Sequence, residues 1–372
     1  MVLRELSLTI KTGDWLFTLS GDSRPREIVV EASTRCNLEC IHCFRNASSN
    51  LVLRNMDLGD FKRIVDNSVD SGVVKLVFTG WGEPTVNPHI VDMLKYAKEK
   101  NLNVVLNTNG MLIEGIVEDL VRIGVDELYV SVDAVDISLY ERIRRLGDLS
   151  RVSRIIAKIS ELKKELRTAK PVVKAIFTIT RLNVDQISRL IDYAAGVGIQ
   201  EVYLSLYVHY PGGVPGIDCI NEPSCVAQLR GVMDSIVLKL FNTNIRLWLP
   251  ALNSYTSRQC PFAANRALFV RADGKVSPCM FLAYSWDVVI EETKRSVREY
   301  LIGDALAESL LDIWRRNSKM FFKLSFNQMP SCLDCNLRGW CSYTLSTEAD
   351  CWGNTPNCSF CPYHYKFSHC PV

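Results

Sequence analysis

Three cysteines stand close together in Cys36-Asn37-Leu38-Glu39-Cys40-Ile41-His42-Cys43. Three thiolates in one short loop can hold three irons of a cubane 4Fe–4S cluster and leave the fourth iron open. An open iron is a place where a small molecule can chelate. The competing chemistry is a zinc knuckle. Structural zinc takes four ligands, usually from closely spaced cysteine pairs, and only His42 stands near as a fourth.

The other cysteines repeat the theme. There are fourteen in all, none before Cys36 and none between Cys43 and Cys219. Nine fall from Cys260 onward: Cys260, Cys279, Cys332, Cys335, Cys341, Cys351, Cys358, Cys361 and Cys370. Disulfides that staple a core would be spread more evenly, so the clustering points to metal. Nine thiols serve two cubanes at four ligands each with one over. Zinc competes at the Cys-x2-Cys pairs. Cys370 lies near the end of the sequence, where chains fray, and is expected to be the surplus thiol. Cys219 and Cys225 have three readings that the spacing does not separate: buried thiols, active-site groups or further ligands.

Polar residues collect at regular intervals between the first and second cysteine groups. Gly80 and Gly82, in Thr79-Gly80-Trp81-Gly82-Glu83-Pro84, let the backbone approach a ligand. Carbonyls exposed there, with Glu83 beside them, can accept hydrogen bonds from an ammonium group. Asn107, Asn109, Ser131 and Asp133 offer donors and acceptors that suit ribose hydroxyls. Each has a plainer reading as a helix cap or a strand-end turn.

Parallel strands place such groups together. Short apolar runs at 27–32, 74–79, 103–107, 127–132, 172–179 and 201–207 predict strands. Helices are predicted between them at 57–71, 88–100, 113–123, 138–145 with 150–167, and 184–197. Asp57, Asn87 and Asn183 are the expected N-caps. Six strand–helix units imply a parallel sheet with helices outside, either doubly wound or a partial barrel. Functional groups of such α/β folds collect at the carboxyl ends of the strands, where all these polar residues fall. A hairpin lid is expected over residues 1–24, with strands at Leu6 to Ile10 and Trp15 to Leu19. A Gly/Pro-rich loop at 208–224, a helix at 225–242 and a strand at 245–249 follow the barrel.

The chain has 372 residues, is 48% hydrophobic and carries a net charge of +2. It is long enough for one large α/β domain and a smaller one, and too nearly neutral to favour nucleic acid or an anionic membrane. The N-terminus has no apolar h-region, and no apolar run approaches the ~20 residues of a membrane span. A cytoplasmic protein is expected.

The cysteine loop, with Asn37 and Leu38 inside it, resembles the signature of the radical S-adenosylmethionine (radical SAM) enzymes. Gly80-Trp81-Gly82-Glu83-Pro84 resembles a variant of that family's Gly-Gly-Glu-Pro motif. The resemblance implies a partial (β/α)6 TIM-like barrel over 25–250, a 4Fe–4S cluster on Cys36, Cys40 and Cys43, and S-adenosyl-L-methionine on its open iron. It implies that Arg144 faces the methionine carboxylate and that His42 takes the place of an aromatic residue beside adenine. Arg144 is otherwise read as part of a solvated helix face. Cys260, Gly274 and Cys279, then Cys332-x2-Cys335-x5-Cys341, resemble the SPASM extension, a small cysteine-rich C-terminal domain placed here at 251–372. That likeness implies two auxiliary 4Fe–4S clusters. The first would use Cys260, Cys279 and Cys351. The second would use Cys332, Cys335, Cys341 and one of Cys358 or Cys361. The tail departs from the pattern, since the next cysteine after Cys341 comes after nine residues instead of three.

Asp350-Cys351-Trp352-Gly353-Asn354-x-Pro356-x-Cys358-x2-Cys361-Pro362 further resembles radical SAM maturases of tungsten-containing aldehyde ferredoxin oxidoreductases in anaerobes. This implies an electron donor such as ferredoxin and a protein or cofactor substrate. Two rivals stand beside it. One is a SPASM-type peptide maturase that forms thioether or carbon–carbon crosslinks. The other is an iron–sulfur scaffold or electron carrier, which explains the cysteines but not the strand-end residues.

Overall fold

The computed structural model describes residues 7–20, 23–253, 258–290 and 293–372. Its largest element is one ten-stranded sheet. Six parallel strands follow one another in chain order: Glu27–Val30, Lys75–Phe78, Asn103–Thr108, Glu127–Ser131, Val172–Ile179 and Glu201–Leu206. Their order matches the strand–helix alternation, and the helices pack outside as a partial barrel. Helix Leu58–Asp70 shows why: it buries Phe61, Ile64, Val65 and Ser68, a stripe spaced at three and four residues. Asp57 caps it as expected, its Oδ1 accepting from the Gly59 and Asp60 amides at 2.7 and 3.3 Å. Among the described residues no helix is long and apolar enough to cross a membrane.

Arg246–Trp248 extends one edge of the sheet in parallel. At the other edge, strand Ala267–Val270 lies parallel to the first barrel strand, with Leu268 opposite Ile28 and Val270 opposite Val30. Lys275–Ser277 and Gly303–Asp304 then continue it antiparallel. The cysteine-rich region therefore shares a sheet with the barrel, and a division at 250/251 does not interrupt it. A two-stranded hairpin, Ser7–Thr12 with Trp15–Ser20, precedes the barrel; the expected start at Leu6 lies outside the described residues. Cys219 and Cys225 pair as a disulfide at the start of helix Pro223–Phe241.

Two of the three expected caps have other work. Helix 88–100 begins at Ile90 with His89 at its cap position. Asn87 is buried, and its Nδ2 donates to the carbonyls of Ala32 and Met56 at 2.8 and 2.9 Å. Asn183 is fully buried. Its Oδ1 accepts from the Thr180 amide and hydroxyl at 2.7 and 3.0 Å, and its Nδ2 donates to the carbonyls of Asp133 and Thr178 at 2.7 and 2.9 Å. A capping side chain uses one acceptor, whereas a buried amide can satisfy backbone groups of several loops at once. These asparagines tie neighbouring strand ends together. Replacing Asn183 with Ala leaves several buried groups unpaired, at roughly 1–3 kcal/mol for each. Urea unfolding should show a loss of that order; a change under about 0.5 kcal/mol would make the residue an ordinary surface position.

Candidate active site and thiol clusters

The cysteine loop leaves the carboxyl end of the first barrel strand and is braced from the far side of the barrel. Cys40 pairs antiparallel with Arg144, and the Ile41 amide donates to the Ile143 carbonyl at 3.0 Å. Arg144 is thus held in a short strand after helix Ile137–Ile143 and is 7% exposed, which removes the solvated-face reading. Cys36, Cys40 and Cys43 line one cleft of about 230 Å³, together with His42, Gly80 to Glu83, Asn107, Asn109, Ser131 and Arg144. The structure brings all these sequence candidates to one place, Asp133 lying just behind them.

Three of them act differently from expectation. Asp133 is fully buried and spends both oxygens inside the protein. Its Oδ1 accepts from the Thr178 amide at 2.7 Å. Its Oδ2 pairs with Arg144 Nη1 and lies 3.3 Å from His42 Nε2. Burial raises the Asp133 carboxyl, but the Arg144 charge, with the hydrogen bonds from the Thr178 amide and Arg144, outweighs it and holds it below the usual range. Asp133 therefore holds the arginine in place instead of presenting an acceptor to a ribose. Asn109 turns inward as well, its Nδ2 donating to Asn37 Oδ1 at 2.8 Å with Cys36 Sγ 3.9 Å away. Glu83 cross-links two strand ends: Oε1 accepts from Thr85 Oγ1 and Thr108 Oγ1 at 2.6 and 2.7 Å, and Oε2 from the Asn109 amide at 2.7 Å. Gly80 and Gly82 line the cleft beside it. Asn107 and Ser131 remain partly exposed on the cleft wall.

Two polar atoms are buried there without a partner, Arg144 Nε and His42 Nδ1. Burial lowers the His42 pKa, so its imidazole stays neutral. Burial also raises the Cys36 thiol and pushes Cys40 up to about 12, against the pull of Arg144. Thiols in such a place become thiolates when cationic metal compensates them. A free guanidinium donor and three thiols spread along one cleft with the glycine loop, too far apart for a single ion, fit an iron–sulfur cluster and an amino acid chelating it.

The glycine loop rests on a residue that the motifs did not single out. Glu31 is fully buried at the end of the first barrel strand. It accepts from the Trp81 amide at 2.9 Å, from the Ala272 amide at 3.3 Å and from the Tyr284 hydroxyl. A Cβ on Gly80 would stand 2.7 Å from Glu31 Cγ, so only glycine lets the loop settle there. Trp81 Nε1 in turn donates to the Met280 carbonyl, one residue after Cys279, at 3.1 Å. The one sequence signal for Glu31 was a charge directly after the buried run Ile28-Val29-Val30.

The sixth strand supplies the last wall. The Leu206 amide donates to the Phe367 carbonyl at 2.9 Å, Ser368 Oγ to the Leu206 carbonyl at 2.6 Å, and the His369 amide to Ser205 Oγ at 3.0 Å. His369 packs on Tyr203, ring centres 4.4 Å apart, and burial lowers its pKa to about 4. This tail segment lines the cleft and was not expected there.

The remaining thiols divide in a way the motif spacing did not predict. Cys260, Cys279, Cys358, Cys361 and Cys370 line one small, enclosed, largely apolar cavity beside the cleft. Burial pushes Cys361 up to about 12 and raises the others. Cys332 feels the charges of Cys351 and Cys341, and Cys335 follows it through a turn in which its amide faces the Cys332 carbonyl. Cys351 thus sits with the second group, and Cys358 and Cys361 with the first. The cause is a tight turn in which Asp350 Oδ1 accepts from the Trp352 and Asn354 amides, both at 2.9 Å, and sends the chain back toward Cys279. Cys370 is not frayed; it is 8% exposed and held by the tail's bonds to the barrel. Among the described residues, no three Cys, His, Asp or Glu side chains converge on a single ion-sized point.

Residues 30–194 match the Radical SAM superfamily, and residues 260–336 match SPASM, an iron–sulfur cluster-binding domain. The chain therefore carries a radical SAM domain and a SPASM domain, the second joined to the barrel through the shared sheet. It is 27% identical over 361 residues to the tungsten-containing aldehyde ferredoxin oxidoreductase cofactor-modifying protein of Pyrococcus furiosus, covering 93% of this chain and 97% of that one. It is 23% identical to the PqqA peptide cyclase of Granulibacter bethesdensis, over 92% of this chain and 89% of the cyclase. The fold is similar to that of Streptococcus suis SuiB bound to S-adenosylmethionine, with a TM-score of 0.63 and 21% identity over 86% of this chain and 72% of SuiB. Native anSMEcpe with bound AdoMet gives a TM-score of 0.63 at 17% identity, over 92% of this chain and 96% of that structure.

Two expectations follow from the buried charges. Glu31 has its pKa raised to about 7, chiefly by burial. A raised carboxyl favours the fold while protonated, and that contribution is lost as pH rises through about 7, on the order of 3 kcal/mol. The melting temperature should fall across that range, and Glu31→Gln should flatten the fall; an unchanged profile in the variant would assign it elsewhere. Asp133→Ala leaves the buried Arg144 charge uncompensated and should cost about 3–5 kcal/mol in denaturant unfolding. A variant of native stability would show that Asp133 does not hold Arg144.

Proposed function

We propose that this chain is an anaerobic, cytoplasmic enzyme that cleaves S-adenosylmethionine reductively and uses the resulting radical to abstract hydrogen from a substrate. The observation that supports it best is the single cleft in which Cys36, Cys40 and Cys43 face the glycine loop and Arg144. When bound, a 4Fe–4S cluster on those thiols supplies the electron that splits S-adenosylmethionine into methionine and a 5′-deoxyadenosyl radical. The protein's part is to place the cosubstrate and exclude water. The Gly80 to Gly82 backbone receives the ammonium. Arg144, fixed by Asp133 and still carrying a free Nε donor, receives the carboxylate. Asn107 and Ser131 face the ribose, and neutral His42 lies against the adenine. The C-terminal thiols hold two auxiliary clusters, and a reduced carrier such as ferredoxin delivers electrons.

The substrate reading follows the relative that shares nearly its whole length with this chain. It makes the chain a maturase of a tungsten-containing aldehyde oxidoreductase, acting on that enzyme or its cofactor. Similarity to a peptide cyclase over 92% of this chain supports a second reading, the crosslinking of a peptide.

The chain is to be reconstituted anaerobically and incubated with a reductant, S-adenosylmethionine and either the apo-oxidoreductase or candidate peptides. Release of 5′-deoxyadenosine is expected from the wild type and not from a variant with Cys36, Cys40 and Cys43 all changed to Ala. Cleavage that survived the triple change would refute the radical reading. Crosslinks in a peptide, with no gain of oxidoreductase activity, would replace the first substrate reading by the second.

A further inference from the structure

Five thiols face one cavity, and a cubane takes four. Cys260, Cys279 and Cys361 form the common part of the group. Cys358 and Cys370 each lie within electrostatic reach of all three. They arrive on different supports. Cys358 follows Asn357, whose Nδ2 donates to the Tyr343 and Ser346 carbonyls at 2.8 and 3.3 Å. Cys370 rides on the tail segment that is bonded to Ser205 and Leu206 of the sixth barrel strand. Successive residues of that tail face opposite ways: His369 and Pro371 line the radical cleft, and Cys370 lines the thiol cavity.

We propose that Cys358 and Cys370 are exchangeable fourth ligands of the iron–sulfur cluster held by Cys260, Cys279 and Cys361. The inference rests on the cluster reading given above and adds to it. In the exchange one iron–sulfur bond forms as another breaks. The incoming thiol gives its proton to the departing thiolate, and the oxidation state of the iron does not change. With Cys370 on the corner, the tail is anchored at both the cluster and the barrel, and His369 is fixed in the cleft wall. With Cys358 there, the tail keeps its bonds to the barrel but is released from the cluster. Ligand choice at the auxiliary site is thereby felt in the chamber where substrate reacts.

The test compares the full-length chain with Cys358→Ala, Cys370→Ala and the double variant after anaerobic reconstitution. Iron and sulfide are counted, and the reduced proteins are compared by electron paramagnetic resonance. The wild type should bind about twelve irons, at four per cubane. Each single variant should keep that number and give its own resonance signal, while the double variant, left with three thiols and an open iron, should give a third signal that shifts when an external thiol such as 2-mercaptoethanol is added. Loss of about four irons in either single variant would make that cysteine an obligatory ligand and overturn the proposal. A double variant whose signal matches the wild type and does not respond to added thiol would remove both as ligands and overturn it equally. A single variant that unfolds by circular dichroism counts against it too, because the fold can spare an exchangeable ligand. Zinc in place of iron in the wild type would instead refute the cluster reading on which the proposal rests.

Discussion

The ladder between Ala267–Val270 and Glu27–Val30 is the interaction on which the rest of the structure depends. It adds the cysteine-rich region to the barrel as one more parallel strand. Beyond its end the chain reaches Arg271, Ala272 and then Tyr284, which close over Glu31. The Arg271 guanidinium lies 4.3 Å from the centre of the Tyr284 ring, above the carboxyl. Glu31 carries the Trp81 amide, and Trp81 reaches Met280 beside Cys279. One strand pairing therefore fixes the distance between the glycine loop and a thiol of the neighbouring cavity. Phe44, Trp81, Tyr284 and Trp286 fill the space between them with edge-to-face contacts.

Around that ladder the protein uses buried charge as scaffolding. Asp133, Glu83 and Glu31 are almost wholly buried at the ends of three strands. Asp133 and Glu31 each bind donors from two other segments and Glu83 from one besides its own loop, so each turns desolvation into fixed geometry. The groups left on the cleft wall include the Arg144 Nε edge, the His42 imidazole, Asn107 and Ser131. They need little rearrangement when a cosubstrate arrives, which is what a site for a short-lived radical requires.

Much of this was legible in the sequence because the strand-end residues are spaced by the strand–helix repeat. Cys36, Gly80, Asn107 and Ser131 each follow an apolar run, and their convergence follows from parallel pairing. What was not legible depends on direction. Spacing places Asp133 and Asn109 at the mouth of the barrel, but only packing decides that their polar atoms turn inward to Arg144 and Asn37. Asn87 and Asn183 have the composition of caps and the burial of cross-links. The tail was beyond reach for another reason. The grouping of Cys351 with Cys332 is set by one turn at Asp350, and the return of residues 366–370 to the sixth strand has no local pattern to announce it.

The two main thiol sites differ in how much chain each must gather. Cys36, Cys40 and Cys43 lie within eight consecutive residues. Cys260, Cys279, Cys358, Cys361 and Cys370 come from both sides of the sheet junction and from the segment laid across the barrel. Closing a short loop costs little entropy, so the first three thiols come together even on a partly folded chain. The other comes together only when strand, hairpin, turn and tail have all docked, contacts of long sequence separation that form late. A chain misassembled anywhere in its C-terminal third therefore has no completed five-thiol cavity.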